Sequence, residues 1–430
     1  MSLKSMLSRV SSWLRRGSRR ANSGHRRFYS ARLDHLPIPK LRASSQEKAE
    51  VLTTGSQGRY PSLLDLASGA PSQDTPAVLR RAACLAIESG ENQYGQTNGD
   101  LQLRRLYAGA RGWSSEQSAL AENQITVVAG TSAGLGAVLL SVLDAGDEVL
   151  VFEPYFEGYL QAVAMAQAIT VPVPLSQGEG MAACHWTINE AALRARITKR
   201  SKVIIVNSPH NPTGRVFSAA ELAVVARVAL ENDLLVVSDE VYGLLAFGEN
   251  APLSMRDLPG MADRTVVIDG LSKTHNASGW RIGMVLAPPA ITSQLRRIVA
   301  ALGLAAPTPL MVASRLAYDQ ASPDGQALAA QLQDNRLQLQ ANAQALGQAL
   351  AQAGFLFSRP QGAAYIFASL PALALKPDAD LASYLLGACG IKAAPGQSCF
   401  QGDQGRLWVR LCIARSSEVI AEACRRIGSL

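Results

Sequence analysis

The strongest candidate for a catalytic residue in this chain is a lysine that follows an apolar run. Ser272-Lys273 follows the apolar residues 266–268, in a loop that also holds Gly270 and Gly279. Most lysines lie on solvated surfaces, and that is the alternative here. At the mouth of a buried strand, however, desolvation lowers the pKa of a lysine amine, which is the condition for forming a Schiff base.

Two further segments suit the binding of an anion. Arg281 stands between Gly279 and Gly283, where the lack of side chains lets a phosphate approach a fork of donors closely. Residues 130–134, Gly-Thr-Ser-Ala-Gly, open the apolar helical stretch 135–143. Small residues at a helix start offer backbone N–H groups and a positive dipole end to a phosphate. This pattern alone is weak, and it is neither a dinucleotide fingerprint nor a P-loop.

An acid, a phenol and an amide occur after two other apolar runs. Asp239 follows residues 234–237, and Tyr242 comes three residues later. A buried carboxylate at a strand end needs a partner, which a protonated pyridine nitrogen would supply. The alternative is a helix N-cap with a packing tyrosine. Asn211 opens an Asn-Pro-Thr-Gly segment after the run 203–206, where the alternative is an ordinary turn.

The elements that must position these residues follow one pattern along the middle of the chain. Short apolar runs rich in β-branched residues end abruptly in polar or turn residues, and helical stretches lie between them. These runs are 149–152, 203–206, 234–237 and 266–268. Such runs predict strands buried on both faces, hence an α/β fold with a largely parallel sheet wrapped by helices. Ligands of such sheets bind beyond the carboxyl ends of the strands, where these residues lie.

The order and spacing of the segments resemble the pyridoxal-phosphate-dependent aminotransferases of the class I/II superfamily, which have fold type I. The strongest match is residues 272–283, Ser-Lys-Thr-His-Asn-Ala-Ser-Gly-Trp-Arg-Ile-Gly. Residues 207–214 are similar to the family's Asn-Pro-x-Gly turn, and residues 238–242 to its Asp–Tyr pair. Other matching segments are 69–76, 94–99, 145–149, 362–365, 395–396 and 409–411. The resemblance runs from about residue 33 to the C-terminus.

The resemblance implies roles toward a cofactor, pyridoxal 5'-phosphate. Lys273 would hold the cofactor as a Schiff base and then carry a proton as general acid and base. Asp239 would keep the pyridine nitrogen protonated. Asn211 and Tyr242 would hydrogen-bond the ring's O3′, and Tyr242 counts as catalytic beside Lys273 and Asp239. The other expected cofactor contacts are Phe156 stacked on the ring, and Thr131, Ser132, Ser272, Arg281 and Tyr94 at the phosphate.

The resemblance also implies how substrates bind and how the chain assembles. Arg410 would pair with the α-carboxylate of an L-amino acid or a 2-oxo acid, helped by Asn211 and the backbone of Gly69. Tyr94 would reach the phosphate of the neighbouring subunit. The expected assembly is therefore a homodimer with active sites shared across its interface.

The expected fold has two domains that close over the substrate. A large cofactor-binding domain would span roughly residues 76–305, and a smaller α/β domain would combine residues 33–75 with 306–430. A long helix from about residue 292 toward 350, kinked by Pro307 and Pro309, would link them. Its Gln- and Ala-rich second half from residue 325 carries leucines at helical spacing.

Transamination is the leading interpretation, and two alternatives remain open. A lyase or cyclase of the same fold, such as an aminocyclopropane-carboxylate synthase or a carbon–sulfur lyase, shares the first half of the reaction and all of these motifs. A non-enzymatic sensor fused to a helix-turn-helix domain is less consistent with the sequence. The residues before about position 33 are too few for that domain and a linker.

The net charge of +7 is concentrated at the N-terminus. Residues 1–29 carry eight cations and no acid, and the rest of the chain holds 33 basic and 34 acidic residues. An acid-free leader rich in Arg and Ser, with apolar residues at helical spacing, is typical of a mitochondrial transit peptide. We therefore expect residues 1–29 to direct the protein to the mitochondrial matrix. A disordered basic tail, a nucleic-acid arm and a cytoplasmic location are the alternatives.

The remaining composition excludes several classes of protein. An apolar content of 48% is too high for a disordered chain, and no apolar run reaches the ~18 residues of a membrane span. The body of the chain, with balanced charge, predicts neither a nucleic acid nor a membrane as partner. None of the six cysteines forms a CxxC pair or lies in a His cluster, so we expect no metal site and reduced thiols in the core.

Overall fold

The computed structural model describes residues 36–37, 62–112, 122–178, 183–250, 252–375 and 380–430. The basic leader and the polar segment that follows it lie outside these residues. The predicted transit peptide therefore stays a prediction.

The strands fall into two sheets and one short pair. In chain order they are β1 (Leu64–Asp65), β2 (Ile125–Val128), β3 (Glu148–Glu153), β4 (Ile169–Pro174), β5 (Ser176–Gly178), β6 (Ala183–Thr187), β7 (Ser201–Asn207), β8 (Leu235–Asp239), β9 (Thr265–Gly270), β10 (Gly283–Leu286), β11 (Leu356–Ser358), β12 (Tyr365–Ser369), β13 (Ile391–Lys392), β14 (Ala394–Pro395) and β15 (Trp408–Cys412).

A seven-stranded sheet with the order β2-β10-β9-β8-β7-β3-β4 carries the predicted apolar runs. Five of its strands, from β9 to β4, pair in parallel, and β10 is antiparallel to both of its neighbours. Every residue of β3 and β9 is buried, as expected for strands covered on both faces. The prediction of a mainly parallel sheet within an α/β fold is confirmed.

The register of this sheet brings the polar strand ends together. Asn207 at the end of β7 pairs with Asp239 at the end of β8, and Asp239 pairs with Ile268 of β9. β9 ends at Gly270, and the segment that carries Lys273 follows at once. Since parallel strands end at the same edge, residues that are far apart in sequence meet there.

A second, six-stranded sheet has the order β14-β15-β12-β11-β6-β5. It joins four strands from the C-terminal part of the chain to the antiparallel pair β5 and β6. The short strand β1 pairs in parallel with β13. The division into a domain of residues 76–305 and a domain of 33–75 with 306–430 stays a prediction.

Helices cover the sheets. In chain order they are α1 (Ala77–Glu88), α2 (Leu101–Ala110), α3 (Thr131–Val142), α4 (Gly158–Met165), α5 (Glu190–Ala195), α6 (Ala219–Glu231), α7 (Leu271–Thr274), α8 (Pro289–Gly303), α9 (Thr308–Ser314), α10 (Pro323–Gln352), α11 (Leu381–Cys389) and α12 (Ser417–Ile427).

The expected single helix from residue 292 toward 350 is wrong. The segment forms three helices, α8, α9 and α10, because Leu304 takes a positive φ of 66° that ends α8. Pro307 is the N-cap of α9, and Pro309 lies in its first turn, so both prolines start a helix instead of kinking one. The prediction of a long helix over residues 325–352 is confirmed by α10.

The six cysteines carry free thiols, as expected. Four of them are buried in the core, where burial raises the pKa of Cys184, Cys389 and Cys399 to about 11. The expectation that all six lie in the core is wrong, because Cys84 on α1 is exposed and Cys424 is half-buried.

Candidate active site

Lys273 lies on the short helix α7, directly beyond the carboxyl end of β9. Its side chain is half-buried, and Nζ donates a hydrogen bond of 2.9 Å to the backbone oxygen of Gly69. The two residues are 204 positions apart. The fold therefore places the amine at a fixed point over the edge of the parallel sheet.

Asp239 ends β8, and its carboxylate is held by two donors. The hydroxyl of Tyr159 on α4 donates to Oδ2 at 2.7 Å, and the backbone N–H of Val241 donates to Oδ1 at 3.3 Å. Desolvation raises the pKa of Asp239, while the hydrogen bond from Tyr159 and the charge of Lys273 oppose this rise. A cationic partner in front of the carboxylate would stabilise the ionised form.

Asn211 and Arg410 are in direct contact at the centre of the site. Nη1 of Arg410 donates to Oδ1 of Asn211 at 3.1 Å, and Nη2 donates to the backbone oxygen of Ala67 at 3.1 Å. The backbone N–H of Asn211 in turn donates to Oδ1 of Asn207 at 2.7 Å. Both side chains are buried, so the guanidinium has a fixed orientation.

Two tyrosine hydroxyls connect this pair to Gly69. The oxygens of Tyr242 and Tyr365 lie 2.9 Å apart, and Tyr365 donates to the backbone oxygen of Gly69 at 3.4 Å. The Tyr365 ring also packs against Arg410, with 4.3 Å between the guanidinium carbon and the ring centroid. Burial and the Tyr365 hydroxyl raise the pKa of Tyr242 well above its ordinary value, so Tyr242 stays protonated and is able to donate.

The start of α3 and Arg281, the residues predicted to bind an anion, lie side by side. Gly130, with φ of 92°, is the N-cap of α3, and a Cβ built on it would lie 2.1 Å from Nη2 of Arg281. Arg281 is exposed and itself has a positive φ of 56°. A Cβ on Gly283 would lie 2.8 Å from the backbone nitrogen of Thr131, so these glycines allow the close packing of strand, arginine and helix start.

Two buried donors of the site have no hydrogen-bond partner among the described residues. They are the hydroxyl of Ser272 and Nε of Arg410. An unpartnered buried polar atom costs free energy, and native proteins keep few of them. One lies beside Lys273, and the other belongs to the arginine that contacts Asn211. Each of these atoms is able to donate a hydrogen bond to an anionic group of a ligand.

Phe156 and Tyr94 differ in their surroundings. Phe156 is half-buried and packs edge-on against Tyr159, with ring centroids 5.5 Å apart. Tyr159 in turn donates to Asp239, so Phe156 is linked to Asp239 through one side chain, and its predicted contact with a cofactor ring stays a prediction. The side chain of Tyr94 is 89% exposed in the single chain, so this chain alone does not bring it into the site.

The fold thus brings together most of the residues predicted from the sequence. They are Gly69, Asn211, Asp239, Tyr242, Ser272, Lys273 and Arg410, with Thr131, Ser132 and Arg281 at the start of α3. The sequence reasoning missed Tyr159 and assigned Tyr365 no role. Their contacts are visible only in three dimensions, although Tyr365 lies in one of the matching segments.

Two kinds of structure are absent from the described part of the chain. No group of three His, Cys, Asp or Glu side chains there is arranged to hold a metal ion. No helix there is long and apolar enough to cross a membrane.

Comparison with known proteins agrees with this geometry. The family model "Aminotransferase class I and II" matches residues 61–427. A probable N-succinyldiaminopimelate aminotransferase, DapC, from Mycobacterium tuberculosis is 32% identical over 377 residues, which cover 85% of this chain and 92% of that protein. The arginine–pyruvate transaminase AruH from Pseudomonas aeruginosa is also 32% identical, over 368 residues that cover 85% and 89%.

Solved structures show the same fold. The N-succinyldiaminopimelate aminotransferase from Mycobacterium tuberculosis superposes with a TM-score of 0.82 at 29% identity, covering 93% of this chain and 99% of that one. The aspartate aminotransferase from Thermus thermophilus has a TM-score of 0.82 at 27% identity, with coverage of 94% and 100%.

These relatives are aminotransferases of fold type I, so they favour transamination over the lyase or cyclase alternative. They also show that the chain belongs to a family of enzymes, which argues against the sensor alternative. The chain belongs to the class I and II aminotransferases, and it is a transaminase that moves an amino group between an amino acid and a 2-oxo acid.

Proposed function

We propose that this site binds pyridoxal 5'-phosphate, with Lys273 as the residue that forms the Schiff base. The cofactor supplies an electron sink for the bond that breaks at the substrate Cα. The donor set fits such a group, because the unpartnered Ser272 hydroxyl, the N–H groups of Thr131 and Ser132, and Arg281 can hold a phosphate. Asp239 fits a basic ring nitrogen.

Lys273 is also the residue that moves the proton. As a free amine beside the bound substrate, Lys273 would take the proton from the substrate Cα as a general base and return one as a general acid. The backbone oxygen of Gly69 accepts a hydrogen bond from this amine and holds it in place. Proton transfer is efficient only when donor and acceptor are held in hydrogen-bond reach.

Asp239 and Tyr159 form the part of the site that would hold a basic ring nitrogen. The carboxylate would keep this nitrogen protonated, and Tyr159 orients the carboxylate. Asn211 and Tyr242 would supply donors to the ring's O3′, and Phe156 would pack against the ring. Each of these side chains is fixed by a neighbour, so the site is organised before the substrate arrives.

Arg410 selects the α-carboxylate of the substrate. Arg410 is 4% exposed, its guanidinium is bound to Asn211 and Ala67, and its Nε remains unpartnered. A carboxylate that reaches this nitrogen would satisfy it through a charge-assisted hydrogen bond. Every L-amino acid and 2-oxo acid carries this carboxylate, so Arg410 sets the class of substrate and not the side chain.

The observation that carries this proposal is the pair of unpartnered donors, Ser272 Oγ and Arg410 Nε, at the two positions where anions are needed. The test is a Lys273→Ala variant beside the wild-type enzyme. Wild type is expected to bind pyridoxal phosphate with a visible absorbance that sodium borohydride removes by fixing the cofactor to a lysine. Lys273→Ala is expected to lose both this absorbance and turnover, and retained turnover would refute the assignment.

The specific amino acid is best found by a screen. The relatives act on different substrates by name, so similarity to them does not select one. The experiment tests the common L-amino acids as donors against pyruvate, 2-oxoglutarate and glyoxylate. Conversion of the bound cofactor to pyridoxamine phosphate identifies a true donor, whereas release of pyruvate and ammonia would indicate elimination.

We also propose that the enzyme is a homodimer in which Tyr94 completes the partner's phosphate site. The large exposure of this aromatic side chain supports the proposal, because a single chain gives it little cover. Sedimentation should give twice the mass of one chain. A Tyr94→Phe variant should stay dimeric and bind the cofactor more weakly, and a monomeric wild type with full activity would contradict the proposal.

The basic leader supports a proposed location in the mitochondrial matrix. Its eight cations within residues 1–29, without an acid, carry this proposal. Residues 1–35 fused to a fluorescent protein should enter mitochondria of a eukaryotic cell. A matched fusion with Arg9, Arg15 and Arg16 changed to Gln should remain in the cytoplasm, and cytoplasmic wild-type signal would contradict targeting.

A further inference from the structure

A buried ionic network lies behind the two principal residues of the site. Arg111 follows the C-terminal end of α2, and its guanidinium donates to Oε2 of Glu240. Nη1 of the same guanidinium lies 3.8 Å from Oδ2 of Asp269. Glu240 directly follows Asp239, and Asp269 stands four positions before Lys273. One arginine therefore connects the ends of β8 and β9, the strands that carry these residues.

Both carboxylates of the network are buried and have further donors. Side-chain exposure is 7% for Glu240, 9% for Asp269 and 20% for Arg111. The hydroxyls of Ser238 and Ser254 donate to Oε1 of Glu240 at 2.8 Å and 2.6 Å. This many donors fix the position of the Glu240 carboxylate.

Asp269 is held in the same way. Its Oδ1 accepts from the backbone N–H of Gly270 at 2.6 Å, and its Oδ2 accepts from the hydroxyl of Tyr107 at 3.3 Å. Desolvation raises the pKa of Asp269 to about 6, and the charge of Arg111 opposes this rise. The arginine is thus the cation that keeps this carboxylate ionised.

The backbone around the network joins it to the site. The N–H of Glu240 donates to the oxygen of Ile268 at 2.8 Å, next to Asp269, so β8 and β9 remain paired up to the end of β8. Without Arg111, two carboxylates on adjacent strand ends would repel each other in a poorly solvated place. A small shift of either strand end would move Asp239 or Lys273 relative to the other.

We propose that Arg111 is a positioning residue that fixes the distance between Asp239 and Lys273 through Glu240 and Asp269; this rests on the proposed function of those two residues. Arg111 touches neither the cofactor nor the substrate in this scheme. Its effect is to hold two strand ends in one register. Groups that act in this way behind a ligand typically change affinity or activity by about 10–100-fold when they are removed.

The test compares Arg111→Met with Arg105→Met. Arg105 lies on α2, the helix that Arg111 follows. Its replacement removes an ion pair to Glu122, but both side chains of that pair are about half exposed. Three quantities are measured: the dissociation constant of pyridoxal phosphate by fluorescence titration, the pH midpoint of the visible absorbance of the bound cofactor, and kcat and KM separately. The free energy of unfolding of the cofactor-free protein is measured in parallel.

For Arg111→Met we expect cofactor binding weaker by about tenfold, a shifted pH midpoint, and a loss in kcat with little change in KM. Arg105→Met should match wild type in all three. If Arg111→Met folds and matches Arg105→Met in affinity, pH midpoint and kcat, the proposal is wrong. A merely structural role would lower the free energy of unfolding and leave the pH midpoint unchanged, which also overturns it.

A second variant keeps the test decisive if Arg111→Met does not fold. Arg111→Lys retains the charge, but a single ammonium cannot bridge both carboxylates as a guanidinium does. We expect it to fold and to shift the pH midpoint in the same direction as Arg111→Met, but by less. An unchanged midpoint would count against the proposal. Absence of cofactor binding in the wild type would instead refute the proposed function, so the two failures are distinguishable.

Discussion

The hydroxyl of Tyr159 lies 2.7 Å from Oδ2 of Asp239 and donates a hydrogen bond to it. Tyr159 is on α4, and Asp239 ends β8, 80 positions later. The contact is buried on the tyrosine side and opposes the rise that desolvation causes in the pKa of Asp239. Tyr159 therefore favours the ionised carboxylate that a protonated ring nitrogen needs.

Replacing Tyr159 by Phe should weaken cofactor binding. The variant keeps the ring and its packing against Phe156 but loses the donor, so the pKa of Asp239 should rise further. We expect the dissociation constant for pyridoxal phosphate to rise by about tenfold. This is the typical effect of removing a side chain that orients a ligand-binding residue. Fluorescence titration of the cofactor-free protein measures it.

The control for this change is Tyr155→Phe. Tyr155 is also buried, and its hydroxyl makes no hydrogen bond to Asp239. This variant should keep the wild-type affinity for the cofactor. Equal losses in both variants would show that general packing, and not the bond to Asp239, is responsible.

Replacing Ser272 by Ala should separate cofactor binding from stability. The Ser272 hydroxyl is buried without a partner in the cofactor-free chain, so its removal should leave the free energy of unfolding unchanged or raise it by about 1 kcal/mol. The same change should weaken phosphate binding by about tenfold, because it removes one hydrogen bond to an anion. Denaturant unfolding and cofactor titration measure the two quantities.

Ser314→Ala provides the matched control. Ser314 is also fully buried, but its hydroxyl donates to the backbone oxygen of Leu310 at 2.6 Å. This variant should lose about 1 kcal/mol of stability and keep its cofactor affinity. If Ser272→Ala is destabilised as much as Ser314→Ala and binds cofactor normally, Ser272 has no role at the phosphate.

Replacing Arg410 by Lys should impair substrate binding. In the wild type, the planar guanidinium of Arg410 contacts Asn211 through Nη1, and its Nε is available for a carboxylate. Lysine keeps the positive charge but lacks this planar group. We expect kcat/KM for the amino acid to fall about 100-fold, with most of the loss in KM, while cofactor affinity stays within a factor of about three. Initial rates over a range of amino acid concentrations test this, and an unchanged KM would exclude Arg410 as the carboxylate site.

Acid should destabilise the protein through its buried histidines. Burial lowers the pKa of His210 from 6.5 to about 3, so the unfolded chain binds the proton more readily than the folded one. The free energy of unfolding should therefore fall as the pH falls from 6.5 toward 3, by up to about 1.4 kcal/mol per pH unit for this residue. Denaturant unfolding at several pH values measures this dependence. The free energy of unfolding of His210→Asn should change less with pH than that of the wild type.

His275 offers an internal comparison. Burial lowers its pKa to about 4, so its contribution to the slope should end near pH 4, while that of His210 continues toward pH 3. His275→Asn should accordingly flatten the curve only above pH 4. Curves for both variants that run parallel to wild type would show that neither histidine is buried in its neutral form.

The sequence alone predicted the strands and the character of their ends. Runs such as 203–206 and 266–268 indicated buried parallel strands because continuous β-branched residues do not suit an exposed surface. Lys273, Asp239 and Asn211 stood out because polar residues follow these runs at once. Local periodicity and residue type were enough for these inferences.

Other predictions failed where local signals do not decide the outcome. The break between α8 and α9 comes from the backbone turn at Leu304, a residue type that gives no sign of a positive φ. The exposure of Cys84 depends on which face of α1 packs against the rest of the chain. Neither is set by spacing along the sequence.

The residue types that do the chemistry were thus determined by the sequence, and their contacts by the tertiary structure. Arg410 meets Asn211 across 199 positions, and Lys273 meets Gly69 across 204. Tyr159 and Arg111 gain their roles only because α4 and the end of α2 lie against the edge where β8 and β9 end. The physical reason is that a pattern along the chain encodes burial, whereas long-range contacts depend on which strands become neighbours in the sheet.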